Sequence, residues 1–392
     1  MLQPNYTDKE KKLFTGRNSY LKQLEGSITK NKTAAILANS GFGRTTLLKH
    51  FAAKHNVIYI DLKKLSLSPE NFAVDFIGTI CFLHLSKKPA ELLEYKTIEK
   101  LKQLKLGAKC SGIISKIDNE LQKIRPNQEL ILKSAFMFAE EFAAEQGKSL
   151  TIAINNFEEL LKLNNFSQIK DILGIFFDSI EKNTRSSFIL ASSAVNLMKN
   201  LLKKFIPAVV EMSSFTPQET KELFEKIAGK TDDRITKEVH SLSAGLPLIV
   251  KETASRYQKE KSSDTQKNIH LINYIIASEL ANSDSPSYSY CSKLFTDSLN
   301  RARGEALLKT ILKAVSQNQP LRLTEIARLV YRSGPVTKSI LERLVEVDLI
   351  TKTGTTFDFA NPVLKQWCRL MFSNIEFSET PDEKTLKELG GL

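Results

Sequence analysis

Ala35-Ile36-Leu37-Ala38-Asn39-Ser40-Gly41-Phe42-Gly43-Arg44-Thr45-Thr46-Leu47-Leu48 decides how the chain is read. An apolar run meets a turn with two glycines, and an apolar pattern resumes at Leu47. The stretch predicts a buried strand, a tight turn and a helix, the layout of a phosphate-binding loop whose pattern is G-x-x-x-x-G-K-[ST]. Gly43 and Thr45 stand at two of the four signature positions, while Ala38 replaces the first glycine and Arg44 the lysine. An ordinary strand–turn–helix would carry the same pattern, so the flanking sequence has to decide.

The physics of such a loop explains what survives. Backbone N–H groups and the positive end of a helix dipole hold phosphate oxygens. That needs a tight turn more than particular side chains, and Gly41 and Gly43 supply it. Asn39, Ser40, Gly41, Phe42, Gly43, Arg44, Thr45 and Thr46 are therefore the phosphate-binding candidates. Thr45 can offer its hydroxyl to Mg²⁺ and is the metal candidate. Arg44 keeps the positive charge, but its planar guanidinium is not equivalent to a compact ammonium.

A chain of 392 residues predicts two or three domains. Hydrophobic content of 42% and charged content of 26% are ordinary for a globular protein. The net charge of +12 allows contact with nucleic acid or an anionic surface, although Lys-rich solvated helices give the same value. Cys81, Cys110, Cys291 and Cys368 form no C-x-x-C, which predicts free thiols in a reducing compartment. The five histidines are scattered and form no H-E-x-x-H. Residues 1–12 lack the apolar core of a signal peptide, and the most apolar stretch, 72–85, is too short to span a bilayer. A cytoplasmic protein without membrane contact is expected.

Further strands follow the loop. Residues 57–62 form an apolar run, as in a buried parallel strand. Pro69 opens a helix through 85. Residues 87–125 carry ten basic residues against five acidic ones and read as a helical insertion with a solvated face. A long amphipathic helix over 130–146 leads to a strand that ends in Asn155-Asn156, with Glu158 and Glu159 just beyond. In P-loop ATPases the end of this strand usually carries Asp for Mg²⁺ and Glu for the attacking water. Both are Asn here, and Asn cannot act as a base. Glu158 is the candidate for a relocated base. Residues 186–193 and 208–212 are two more strands, and the βαβ spacing predicts a parallel sheet with covering helices.

From Thr216 the chain reads as helical, with helices over 217–227, 235–242, 248–257 and 269–280 and a break at Gly245-Leu246-Pro247. The Ser/Pro-rich residues 282–289 are the linker candidate. Helices over 307–315, 323–330 and 336–347, then a hairpin over 348–359, predict a winged helix-turn-helix. Val336, Ile340, Leu341, Leu344 and Val345 form the apolar side of its third helix. If the tail binds DNA, Thr337, Lys338 and Arg343 on that helix and Lys352 on the wing are the contacts. Glu342 and Glu346 on the same helix argue against tight docking, so a protein partner is the alternative.

Taken together, the motifs resemble those of the archaeal-type ATPase family, a branch of the AAA+/STAND P-loop proteins. Phe14-Thr15-Gly16-Arg17 with Leu21 and Leu24 looks like the family's F-x-G-R box, which lies by the adenine in relatives. Residues 38–46 stand where its Walker A loop lies, and Ile154-Asn155-Asn156-Phe157 where it has h-D-E-F. Leu190-Ala191-Ser192-Ser193 looks like its sensor-1 strand, Gly245-Leu246-Pro247 like its G-x-P lid motif, and Pro362 and Trp367 fit its winged-helix end.

The resemblance implies an α/β fold: a P-loop parallel sheet with helices on both faces, then a helical lid and a winged helix-turn-helix domain. The expected units are 1–214, with the insertion at 87–125, then 215–285, 286–375 and a tail at 376–392. It adds Gly16, Arg17, Asn155, Asn156, Ser193 and Pro247 to the residues that bind ATP or ADP, with Mg²⁺ as a further cofactor, and it admits oligomers. The departures cluster in the chemistry, at Ala38, Arg44, Asn155 and Asn156. They imply a nucleotide-binding switch with weak or absent hydrolysis. A DNA-binding, initiator-like protein and an active ATPase with Glu158 as base are the alternatives.

Overall fold

The structure is a computed structural model that describes residues 6–55, 57–85, 89–205, 209–302 and 305–372. Expectations for 1–5, 87–88, 208 and 373–392 fall outside these residues. Helices α1 (Asp8–Leu13) and α2 (Asn18–Asn31) precede β1 (Thr33–Leu37), α3 (Arg44–His55), β2 (Ile58–Asp61) and α4 (Pro69–Leu85). Then come α5 (Ile98–Gln103), α6 (Ala108–Leu121), α7 (Gln128–Glu145), β3 (Leu150–Asn155), α8 (Ile172–Ile180), β4 (Ser186–Ser192), α9 (Val195–Leu202) and β5 (Val209–Glu211). Short 3-10 turns follow β2, α4 and β3.

These strands make one parallel sheet in the order β2-β3-β4-β1-β5. Successive strand residues point to opposite faces, and both faces here are apolar. Ala35, Leu37, Ile152, Ile154, Phe188 and Leu190 pack with Phe72, Phe76, Phe136 and Phe176 of α4, α7 and α8. Ala34, Ile36, Ala153, Ile189 and Ala191 pack with Leu24, Leu47, Leu48 and Phe51 of α2 and α3. Helices on both faces explain why the strands read as continuous apolar runs rather than alternating ones. The register sets Leu37 beside Ser192, Ala191 beside Asn155, and Asn155 beside Asp61. The carboxyl ends of four strands therefore meet at one edge, the edge that open α/β sheets use for ligands.

Within the basic stretch, α5 and α6 bury Leu101, Cys110, Ile114 and Ile117 and leave most cations in water. Several are paired there, as in Lys102–Asp118 at 2.6 Å and Lys109–Glu141 at 2.9 Å. A helical face that water solvates accounts for the charge.

The second half is helical: α10 (Pro217–Ala228), α11 (Asp233–Ser243), α12 (Pro247–Glu260), α13 (Thr265–Ala281), α14 (Pro286–Ala302), α15 (Glu305–Ser316), α16 (Leu323–Leu329), α17 (Gly334–Glu346) and α18 (Pro362–Met371). It includes a three-stranded antiparallel sheet of β6 (Leu321–Arg322), β7 (Ile350–Thr353) and β8 (Thr356–Phe359), in the order β6-β8-β7. One continuous core runs through this half, from Phe215 and Phe224 through Ile275 and Phe295 to Trp367 and Phe372.

Two expectations need correction. Residues 282–289 are not a linker. Pro286 opens α14, Ser285 and Ser287 are buried, and Ser285 Oγ accepts from Tyr288 N at 3.0 Å. Short polar residues that read as a flexible joint are here helix-capping groups. On α17, Val336 lies 43% exposed while Thr337 is fully buried, because Thr337, Ile340, Leu341 and Leu344 share one face at i, i+3, i+4 and i+7 and Val336 falls about 100° away from it. No helix among the described residues is long and apolar enough to cross a membrane.

Candidate functional site

The glycine turn is built by backbone constraint. Gly41 and Gly43 both have φ +87°, a region that side chains disfavour, and Phe42 N donates to Asn39 O at 3.2 Å. A Cβ at Gly41 would stand 2.7 Å from Tyr290 Oη. That hydroxyl donates to Ser40 O at 2.7 Å and accepts from Asn361 Nδ2 at 2.8 Å. The tail thus holds the loop directly. The chain enters α3 at Arg44, and the first N–H groups of a helix have no acceptor within it.

Arg44 is 7% exposed. Its Nη2 donates to Asn156 Oδ1 at 3.0 Å, while Nε and Nη1 are buried without a hydrogen-bond partner. Burial pulls its pKa down, and the charges of Glu158 and Asp61 and the Tyr59 ring oxygen oppose that. Asn156 holds a left-handed φ of 55° and donates through Nδ2 to Asp61 Oδ1 at 2.6 Å. Asp61 also accepts from Lys63 N at 3.1 Å. The chain Arg44–Asn156–Asp61 therefore crosses from the loop helix to the ends of β3 and β2. Asn155 is buried at the same edge.

Glu158 stands on the 3-10 turn Phe157–Asn165 and faces the sheet edge. Its Oε1 accepts from Ser193 Oγ at 2.8 Å, and its Oε2 is buried without a partner. Glu159 instead pairs with Lys162 at 2.5 Å.

Arg17 closes the other side. Its φ is 64°, its N donates to Glu219 Oε1 at 3.1 Å, and its Nη2 donates to Phe42 O at 3.0 Å. The guanidinium lies 4.5 Å over the Phe215 ring. Gly16 lets Glu219 approach, since a Cβ there would meet Oε1 at 2.2 Å. At Gly245 (φ +66°) a Cβ would stand 2.3 Å from Phe215 O, and Pro247 starts α12 beside Gly43.

These groups line one cavity of about 1230 Å³ between the sheet edge and the helical half. Of the expected residues, Arg17, Asn39, Ser40, Gly41, Gly43, Arg44, Thr45, Thr46, Asn155, Asn156, Glu158, Ser193 and Pro247 line it. Gly16 and Phe42 are not on its wall; they support it from behind. Leu13, Phe14, Leu223 and Leu248 give it an apolar end.

The sequence reading missed Asp61, Lys251, Tyr290, Lys293 and Arg301, which also line the cavity. Asp61 ends a strand and could have been singled out once β2 was placed next to β3. The other signal was the spacing of Cys291, Phe295 and Leu299, one face of a helix. That spacing would have revealed α14 and with it Tyr290, Lys293 and Arg301.

The four nucleic-acid candidates do not share an open face. Thr337 is fully buried and donates to Ser333 O at 3.0 Å. Arg343 turns inward and donates through Nε to Ala302 O at 2.9 Å. Lys338 is exposed beside Glu342 at 3.8 Å, and Lys352 lies 5.7 Å over Phe357. Thr337 stands on the face of Ile340, Leu341 and Leu344 and so meets the core, and the Ala302 carbonyl draws Arg343 away from solvent.

No protein-family model and no curated protein sequence matches the chain. Among solved structures, a Walker-type ATPase of Pyrococcus abyssi superposes with a TM-score of 0.66 at 17% identity, over 94% of this chain and 99% of that one. The ORC2 protein of Aeropyrum pernix gives a TM-score of 0.49 at 12% identity, over 95% and 97% of the two chains. A STAND protein of Pyrococcus horikoshii with a tetratricopeptide repeat sensor gives 0.38 at 15% identity, over 96% of this chain and 44% of that one. The first likeness shows the fold: this chain has the α/β fold of a P-loop ATPase.

Proposed function

We propose that the chain is a nucleotide-binding switch of the AAA+/STAND type that binds ATP or ADP with weak or absent hydrolysis. The observation that carries it is Arg44, a buried cation with two unpartnered donors at the start of a loop helix and on the wall of a large cavity. Buried polar groups are nearly always hydrogen-bonded, and a phosphate oxygen would satisfy both nitrogens. Asn39 to Thr46 would hold the phosphates through backbone N–H groups. Phe14, Leu13, Leu223 and Leu248 would enclose the base, as the F-x-G-R resemblance implies.

Hydrolysis is impaired in this reading because Asn155 and Asn156 carry neither charge nor base. Phosphoryl transfer depends on electrostatic stabilisation and an oriented water. In this reading 1–214 acts as the core, and 215–285 and 286–375, which share one hydrophobic core, act together as lid and winged-helix end, with 376–392 beyond them. The winged helix would report the nucleotide state to a partner. With Thr337 and Arg343 turned inward, Lys338 and Lys352 are the two of the four candidates left for DNA, which favours a protein partner.

Calorimetric titration with ATP and ADP, followed by a phosphate-release assay, tests the proposal. Micromolar binding with phosphate release at the background rate is expected, and Arg44→Ala should weaken binding about tenfold or more, since a charge-assisted bond is worth roughly 1.5–3 kcal/mol. No binding of either nucleotide would sink it. One observation favours a second reading, an active ATPase: the partnerless Oε2 of Glu158 at the cavity wall. There Glu158→Gln should abolish phosphate release, and unchanged turnover would remove Glu158 as a base.

A further inference from the structure

In most phosphate-binding loops a divalent cation shares the polyphosphate with the loop lysine. Here the residues do not fit that ion. Mg²⁺ demands near-octahedral oxygen donors and is usually held through carboxylates. Among the described residues, no group of three or more His, Cys, Asp or Glu side chains could hold a metal. The carboxylates Asp61 and Glu158 on the cavity wall are each partly engaged: Asp61 accepts from Asn156 at 2.6 Å, and Glu158 accepts from Ser193 at 2.8 Å through Oε1, which leaves its Oε2 as a single buried oxygen rather than a set of ligands. Thr45 is left as a single hydroxyl at the cavity wall.

The position is also electrostatically taken. Arg44 Nη2 lies 3.0 Å from Asn156 Oδ1, so a fixed positive charge spans the gap between the loop helix and the end of β3. A dication placed there would face that charge at short range in a low-dielectric setting, where repulsion is strong. Two further cations reach the same cavity from the helical half. Lys251 on α12 and Lys293 on α14 line it together with the carboxylates of Glu10 and Asp297, and Lys251 helps to hold the Glu10 charge. Arg44, Lys251 and Lys293 thus bring positive charge from three elements to one space that already has two open guanidinium donors.

We infer that the cavity binds nucleoside di- and triphosphates in their metal-free form, with Arg44 standing in for the divalent cation as well as for the loop lysine. The inference rests on the nucleotide-binding reading above. It accounts jointly for three of the four departures, Arg44, Asn155 and Asn156: a site that takes no metal has no use for a metal-positioning carboxylate, and Arg44 needs a neutral acceptor, not an ion pair, at Asn156 if it is to keep charge for the ligand.

The test is calorimetric titration of the full chain with ATP in excess EDTA and again in millimolar Mg²⁺. The site takes only the metal-free form, and millimolar Mg²⁺ ties up most of the ATP, so the dissociation constant in total ATP should be about tenfold weaker in Mg²⁺, a difference of roughly 1.4 kcal/mol. Equal or tighter binding in Mg²⁺ overturns the inference while leaving nucleotide binding intact. No binding under either condition overturns both together. The double variant Arg44→Lys/Asn155→Asp, checked for folding by its thermal melt, supplies the converse. It should bind about tenfold tighter in Mg²⁺ than in EDTA, and a folded double variant that still binds tighter in EDTA overturns the role given to Arg44.

Discussion

At the scale of single residues, Gly41 joins two constraints that no other residue type meets. Its φ of +87° is disfavoured for any side chain, and a Cβ would press on Tyr290 Oη. Gly41→Ala should therefore lose at least about 1 kcal/mol from the backbone alone, read as a lower urea midpoint, and weaken ATP binding as the loop shifts. Glu140 is a different kind of constraint. Burial disfavours its charge, but the N–H groups of Thr184, Arg185 and Ser186 and the Ser186 hydroxyl overcome this and hold its pKa down at about 2. A depressed carboxylate stabilises above its unfolded value and loses that contribution as pH falls. Glu140→Gln should flatten the acid side of the stability curve between about pH 4 and pH 2; a variant whose urea midpoint falls as steeply as the parent's across that range would refute it. The loop glycines, Arg44 and the paired asparagines were legible as residues because their chemistry is local. Asp61 was not, since its importance comes from a neighbouring strand that sequence order places far away.

At the scale of elements, α9 has no side-chain cap of its own; its N-cap residue is Ala194. Asp348, at the end of α17, accepts from Asn196 N at 3.4 Å, and Asn196 Nδ2 donates to Val345 O at 3.0 Å. The tail thus caps a helix of the sheet half. Burial raises the Asp348 carboxyl to about 6, against the attraction of Arg301 and the α9 N–H groups. A raised carboxyl favours the folded state while protonated, so this contribution is full below its usual value near 4 and is lost as pH rises through about 6. Asp348→Asn keeps an acceptor and tolerates the left-handed φ of 61°. It should raise stability above pH 6 by up to about 3 kcal/mol, with the gap closing toward pH 4. Urea melts over that range decide it, and a constant gap would show that the carboxyl is not the titrating group. Elements with strong start signals were legible: Pro69 opens α4, and Thr216-Pro217 opens α10 with a capping box. Helix α14 was hidden because its capping serines imitate a linker.

At the scale of the molecule, the expected division between 215–285 and 286–375 has no counterpart in packing. Tyr288 and Phe295 of α14 lie against Trp367 of α18, and the same core continues into α10 to α13. Composition marks a boundary at 282–289, but long-range packing, which a local reading cannot see, removes it. The helical half is therefore one packing unit beside the sheet half. The contacts that join the two are mostly polar, Arg17 to Glu219, Lys226 to Phe14 O, Tyr290 to Ser40 O, and Asn196 to Val345 O, with Leu13 and Phe42 the apolar side chains that pack against the helical core. Polar joints of this kind let bodies separate more readily than a shared apolar core does. A ligand that touches Arg44 on one body and Lys293 on the other binds the closed arrangement better, and so shifts the population toward it. ATP should then slow amide exchange across α14 and residues 39–43. Tyr290→Phe removes the hydroxyl that joins Ser40 O to Asn361 and leaves two polar groups unpaired, a cost of roughly 1–3 kcal/mol. Exchange in those segments should quicken about tenfold without ligand, and ATP should restore most of the protection. If the variant exchanges like the parent chain, Tyr290 does not hold the halves together. If ATP protects residues 39–43 but not α14, the ligand sits on the sheet half alone and closure must be driven by something else.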